Sequence, residues 1–356
     1  MPKKANLNPG TKKTVFCFLF FTACLNAAEP PITGRGGKGD DKIDPLIVSY
    51  MEKYGAKAAV LAISYRGRII YSKGYGWSDA ECKEPVKPNA AMRIASVSKP
   101  VTAAMVRKLA RESRLSLKTR VFPFLGKDIT RLIEDERLNK ITIADLLEHK
   151  GGWDREESFD PVFGLPEPAA GLPSYEKMEP KHLVAYMASR PLQFDPGTKS
   201  VYSNFGYVVL GQVIEKATGL SYKEYLHKRF LPLIHTTGID VAEEDPNELL
   251  REVSYPPSAR SFNIKVMDGA GGLVASAPAL CAFMKYYWIS GEKRQGGIYT
   301  YTFFGSMPGT CSVIRQRPDW INYAAIFNNR LHGPAGDLKL FAADMDKLLD
   351  ELYKRK

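Results

Sequence analysis

Apolar positions along the chain fall into two kinds of pattern. "AAVLAISY" (58–65) and "RIIYSKGYG" (68–76) are apolar-rich runs of strand length on either side of Arg66-Gly67. That spacing predicts a β-hairpin. From 96 to about 111 the residues Ala103, Ala104, Val106, Leu109 and Ala110 supply the small and apolar positions of a helix. The middle of the chain, from about 117 to 240, is mostly helical in pattern with long loops. "TIADLLEHKGGW" reads as a helix ending in Gly-Gly, and "NFGYVVLGQVIEKATG" as an amphipathic helix with a glycine stop. Between them, 154–180 is rich in Pro, Gly and Glu and predicts a long surface loop of the kind that borders a binding cleft. After 277, "PALCAFMKYYWIS" predicts a helix, "GGIYTYTFFG", "TCSVIRQ" and "INYAAIFNN" three strands, and 337–352 a final helix.

Strands at both ends with a helical block between them predict an α+β protein. Its antiparallel sheet, flanked by helices, would be built from 44–116 and 266–356. An inserted, mostly helical domain would span 117–265, with the active site in the cleft between the two. Upstream, "EPPITGRGGKGDDK" reads as a linker (29–43) ahead of a short helix, "PLIVSYMEKYG". Its Gly-Lys content does not match a phosphate-binding loop, which needs Ser or Thr after the Lys and a strand before it.

The first 28 residues change the picture of where the protein works. Lys3, Lys4, Lys12 and Lys13 precede the apolar run 15–21, and Ala27-Ala28 forms a small-residue exit. This is the arrangement of a secretory signal peptide, and the run is too short to span a membrane. "FTAC" also resembles a lipoprotein cleavage site, with Cys24 as the acylated residue and Phe21 atypical for it. The expectation is an exported protein, periplasmic or extracellular, with a possible lipid anchor at Cys24.

The formal charge of +11 is spread along the chain and partly concentrated in the two termini. No nucleic-acid partner is expected. Beyond Cys17 and Cys24, the cysteines Cys82, Cys281 and Cys311 lie too far apart to suggest a disulfide framework or a metal cluster, and the five histidines show no metal-ligand spacing. No metal and no cofactor are expected.

Candidate chemistry begins at "MRIASVSKP". Ser96 and Lys99 are three apart and share one face of a helix. In a partly dry cleft such a lysine can accept the serine proton. The pattern alone is weak: it recurs at Ser174/Lys177 and Ser290/Lys293, and Ser96 could simply cap the helix. A second group is Tyr202-Ser203-Asn204, the one Tyr-x-Asn in the chain. A phenol beside a lysine can act as a base, and an Asn side chain can hold both lysine and a substrate amide. Here too a helix cap at Ser203 or Asn204 is the competing explanation.

Taken in order, "MRIASVSKPVTAAMVRKL", "LSLKTRV", "ITIADLLEHKGGW", "FDPGTKSVYSNFGYVVLGQVIEKATGLSY", "GAGGLVASAPALCAFM" and "GSMPGTCSVI" resemble the serine beta-lactamase and penicillin-binding-protein superfamily. The likeness is strongest to its class C beta-lactamase-like branch of hydrolases, esterases and DD-peptidases, and runs from about Ile43 onward. It implies an antiparallel sheet covered by helices, a helical domain, and a nucleophile at a helix N-terminus between them. It also implies roles: Ser96 as acylated nucleophile, Lys99 as its proton partner, Tyr202 as general base or acid, and Asn204 as a positioning residue. The backbone amides of Ser96 and Ser306 would form the oxyanion hole.

One motif departs from the family. Where a strand usually carries Lys or His, then any residue, then Gly, this chain has Phe303-Phe304-Gly305. Phe303 removes the usual charge for a substrate carboxylate. Gly305 keeps the strand open to close approach. Lys150 could replace the missing cation, while Trp153 and Asp154 could shape the cleft. The expected activity is cleavage of an ester or amide in a small-molecule or peptide acyl substrate, through a Ser96 acyl-enzyme. Two alternatives stand beside it: a DD-peptidase or beta-lactamase, and a penicillin-recognising or cell-wall-binding protein without turnover. Oligomeric state is not legible.

Overall fold

The computed structural model describes residues 29–353, apart from 169, 297–298 and 331–335. The expected signal peptide and Cys24 lie outside the described residues.

Among the described residues nine strands form two sheets. In the larger one, β1 (Ile32–Arg35), β2 (Ala58–Tyr65), β3 (Arg68–Gly76), β7 (Tyr301–Met307), β8 (Thr310–Gln316) and β9 (Ile321–Phe327) run in the order β1-β3-β2-β9-β8-β7. Every neighbouring pair is antiparallel. The β2–β3 hairpin turns at Arg66 and Gly67, both with positive φ (50° and 77°). Such a turn matches the right-handed twist of its strands. The register Ala59↔Phe327 through Tyr65↔Ile321 stitches β9, near the C-terminus, to β2. Strands from the two ends of the chain thus make one sheet, leaving β7 on its edge.

Side-chain alternation divides the core. Ala59, Leu61, Ile63, Tyr323, Ala325 and Phe327 face a layer made by helix α1 (Asp40–Tyr54) and the helix Gly336–Tyr353. The intervening Val60, Ala62, Ala324 and Ile326 face helix α2 (Ser98–Arg111) and the helix Ala277–Tyr286. Full burial of one such aliphatic side chain is worth roughly 1.5–3 kcal/mol. The sheet is therefore sandwiched between apolar layers that neither face could supply alone.

The stretch expected as a linker, 29–43, is structured. Its strand β1 pairs with β3 from Ile32↔Tyr75 to Arg35↔Ser72, and α1 begins at Asp40, ahead of Pro45. Asp40 and Asp41 in the first turn complement the positive end of the helix. Pro and Gly composition hid the strand because its partner lies some forty residues away. A second, three-stranded sheet, β4 (Ala91–Arg93), β6 (Leu273–Ser276) and β5 (Ile239–Val241) in the order β4-β6-β5, was also not visible. Its strands are too short to show a period, and β5 falls inside the block expected to be mostly helical.

Candidate active site

Strand β4 leads directly into a 3₁₀ turn, Ala95–Val97, that carries Ser96, and only then does α2 begin. Ala95 has φ 47°, a left-handed conformation that costs a non-glycine residue energy. The surroundings hold it there. Ser312 Oγ on β8 donates to the Ile94 carbonyl at 2.8 Å, Thr310 Oγ1 donates to the Arg93 carbonyl at 2.6 Å, and Ser98 Oγ donates to the Ala95 carbonyl at 2.7 Å. Ser96 does not cap α2, whose N-cap position is Val97 and lacks a side-chain cap. Its hydroxyl is left for other partners.

Those partners come from one remote segment and from α2 itself. Lys99, 1 % exposed, lies one turn into α2 with its Nζ 3.3 Å from Ser96 Oγ. The same ammonium donates to Asn204 Oδ1 at 2.7 Å and to the Ala270 carbonyl at 2.5 Å. It also lies over the rings of Tyr202 (4.9 Å) and Tyr207 (5.7 Å). A buried cation needs such compensation. Tyr202 donates its phenol hydrogen to Ser96 Oγ at 2.7 Å. At the head of helix Asn204–Thr218 the cap is Ser203, whose Oγ accepts from the Gly206 amide at 3.1 Å. The Asn204 side chain is thereby released from capping and reaches Lys99.

The edge strand β7 closes the opposite side. A Cβ on Gly305 would lie 2.2 Å from the Ile94 carbonyl oxygen and 2.5 Å from Ser312 Oγ, so glycine is what permits this contact. Ser306 follows on the same strand, and its Oγ accepts from Arg330 Nη1 at 2.8 Å. Phe303, two residues before Gly305, is partly buried against the core shared with α2. The structure thus brings Ser96, Lys99, Tyr202 and Asn204 into direct contact, with Gly305 against the serine turn and Ser306 next to it.

Several residues at the site carried no local sequence signal. His149 stacks between Tyr202 and Tyr207, with ring centroids 4.7 and 5.2 Å away, and its Nδ1 accepts the Ser203 amide at 3.2 Å. Burial, and then the charge of Lys99, push its pKa down to about 4. It is a neutral imidazole there. Asp160, from the long loop, accepts from Asn204 Nδ2 at 2.6 Å. Arg155 lies 5.4 Å over the ring of Tyr202. Lys150, considered above as a substitute cation, instead pairs with Glu148 at 2.7 Å. Lys99 and Arg155 lie over the ring of Tyr202, and Arg330 lies against Ser306. Trp153 is buried packing, edge-on to Phe205 at 4.8 Å. Asp154 is buried as well, its backbone amide bonded to Gln193 Oε1 at 3.0 Å. Among the described residues no group of three or more His, Cys, Asp or Glu side chains is placed to hold a metal ion.

Chemically, a hydroxyl flanked at hydrogen-bond range by a phenol and an amine is a nucleophile with two routes for its proton. Comparison with known proteins bears on the fold and the family. Among solved structures, a penicillin-binding protein homologue from Pyrococcus abyssi superposes with a TM-score of 0.66 at 21% identity, covering 88% of this chain and 79% of that one. A D-amino acid amidase from Ochrobactrum anthropi superposes with a TM-score of 0.65 at 18% identity, covering 87% and 97%. Among curated sequences, the human mitochondrial serine beta-lactamase-like protein LACTB is 25% identical over 314 residues, which is 71% of this chain and 57% of that protein. A probable fimbrial assembly protein FimD of Dichelobacter nodosus is 30% identical over 241 residues, 65% of this chain and again 57% of its relative. The chain therefore spans a little over half the length of these curated relatives. The family model for beta-lactamase matches residues 43–355, a span that holds every residue of the site just described, and the chain belongs to the beta-lactamase family.

Proposed function

We propose that the protein is a serine hydrolase that cleaves an ester or amide through an acyl-enzyme on Ser96. The observation that carries this reading is the meeting of Ser96, Lys99 and Tyr202 within 3.3 Å contacts. Tyr202 and Lys99 both donate to the one oxygen, so the reacting form is short of one proton, as either a neutral amine or a phenolate. Ser96 Oγ attacks the substrate carbonyl carbon while its proton passes to that base. The backbone amides of Ser96 and Ser306, on turn and strand in contact, receive the developing oxyanion, a contribution worth about 2.7–4 kcal/mol per donor. Collapse of the tetrahedral intermediate breaks the bond to the leaving group, which takes the proton back. Water then repeats the sequence on the acyl-enzyme and frees Ser96.

Phe303 shapes the substrate class. With a ring where a cation would meet a carboxylate, substrates without a free carboxylate beside the scissile bond are favoured: simple esters, amides and amino-acid amides. Action on cell-wall peptides or beta-lactams is the second reading, favoured by family membership and opposed by Phe303. The protein is proposed to be exported, on the strength of its first 28 residues.

The test is labelling with a fluorophosphonate probe followed by mass spectrometry, beside a panel of short-chain esters, D-amino-acid amides, penicillin and a chromogenic cephalosporin. An adduct on Ser96 and turnover lost in Ser96→Ala support the reading. No adduct on folded protein overturns it, and a stable penicilloyl adduct without turnover points to a recognition protein instead.

A further inference from the structure

We propose that Asp160 is a positioning residue that determines which end of the Asn204 side chain faces Lys99, and thereby where the Lys99 amine points. This deepens the reading of Ser96 as nucleophile and rests on it. An Asn side chain has two ends of nearly equal size, one an acceptor and one a donor of two hydrogens. Shape alone cannot choose between them; the neighbours must. Lys99 Nζ can only donate, and it meets Oδ1 at 2.7 Å. An ionised Asp160 can only accept, and it meets Nδ2 at 2.6 Å. Flipping the amide would break both charge-assisted bonds. It would also set an NH₂ against an ammonium and a carbonyl against a carboxylate.

The remaining geometry fits this role. Asp160 has a largely covered side chain, 13% exposed, although it sits in a loop of high Pro and Gly content. The Phe163 amide donates to its backbone carbonyl at 3.1 Å, closing a turn that presents the carboxylate inward. Arg155 approaches the same carboxylate at a long 3.6 Å. Ser203 does the capping that Asn204 would otherwise perform, so the Asn204 amide is free to be a two-ended connector. With Asn204 Oδ1 and the Ala270 carbonyl both fixed, two of the three ammonium hydrogens are assigned and the third is directed to Ser96, 3.3 Å away.

Removing the Asp160 carboxylate leaves the Asn204 amide unfixed between its two orientations. The experiment compares wild type, Asp160→Ala and the isosteric Asp160→Asn, which can accept either orientation of Asn204. Expected for hydrolysis of a small uncharged ester are a fall in kcat of about 10- to 100-fold in Asp160→Ala, a smaller fall in Asp160→Asn, and KM changed less than about threefold. Independently of activity, the side-chain amide resonances of Asn204, assigned with Asn204→Asp, should show one strongly downfield hydrogen in wild type that is absent in Asp160→Ala. Wild-type kcat in Asp160→Ala, or an unchanged Asn204 amide signal, overturns the proposal. Should Asp160→Ala fail to fold, Asp160→Asn carries the same two readouts. Absence of Ser96 labelling in wild type would instead remove the nucleophile reading, while the amide resonances still report on Asp160.

Discussion

The phenol of Tyr202 donates to Ser96 Oγ at 2.7 Å across a sequence separation of 106 residues. Neither residue is placed by its own element alone. Ser96 sits on a turn held by β8, and Tyr202 is fixed by the face of His149, which in turn is tied to the Ser203 amide. Tyr202→Phe removes one oxygen and leaves the ring stack intact. It should lower kcat by about 10²- to 10⁴-fold with an unchanged melting temperature. Steady-state kinetics beside thermal denaturation decides; equal activity of the two proteins would exclude Tyr202 from proton transfer.

Gly305→Ala tests the contact between β7 and the serine turn. The added Cβ would meet a backbone oxygen, that of Ile94, at 2.2 Å, so the turn or the strand must shift. A displacement of about 1 Å is enough to cost on the order of 10²-fold in rate. The expected result is a folded but nearly inactive protein that labels slowly at Ser96. Normal labelling kinetics would show that β7 can yield without moving the nucleophile.

His149 predicts an acid-sensitive stability. Its folded pKa is about 4, depressed by burial and by the Lys99 charge, against about 6.5 in an unfolded chain. The unfolded state therefore binds the proton first. Stability is complete above pH 6.5 and is lost as pH falls through that window toward 4, by at most about 3 kcal/mol. Urea denaturation between pH 4 and 7 should show this loss in wild type and a shallower one in His149→Gln. Parallel curves for the two proteins would assign the loss to other groups.

Cys281 and Cys311 are free thiols in the core, and burial pushes Cys281 up to about 12 and Cys311 higher still. The thiolate is the reactive form. Iodoacetamide at pH 8 should leave both unmodified in folded protein and modify both in denaturant, as read by peptide mass spectrometry. Rapid native modification of either would mean that its layer opens readily.

Phe303→Lys should restore a charge at the β7 end of the cleft. The kcat/KM for an acyl substrate carrying a carboxylate, relative to its amide, is expected to rise by roughly 5- to 10-fold, the worth of about 1 kcal/mol of a partly exposed ion pair. An unchanged ratio would place carboxylate recognition elsewhere, with Arg330 beside Ser306 the next cation to replace.

What the sequence determined by itself was whatever is written in local pattern. The β2–β3 hairpin around Arg66-Gly67, the helix after Ser203 with its stop at Gly219, strands β7 to β9 and the last helix all announce themselves by period, cap or turn residue. The antiparallel sheet flanked by helices followed from strands at both ends of the chain, and order of motifs supplied the family. Short strands had no such pattern. β1, β4, β5 and β6 have four residues or fewer, and each exists because a distant strand satisfies its backbone. The same holds for the site. Ser96, Lys99, Tyr202 and Asn204 could be singled out as residues, but whether Ser96 caps the helix was open until the backbone placed Val97, not Ser96, at the N-cap. His149, Asp160 and the Ala270 carbonyl were decided only by tertiary structure, because a hydrogen bond depends on where two atoms finish in space and not on how far apart they stand in the chain.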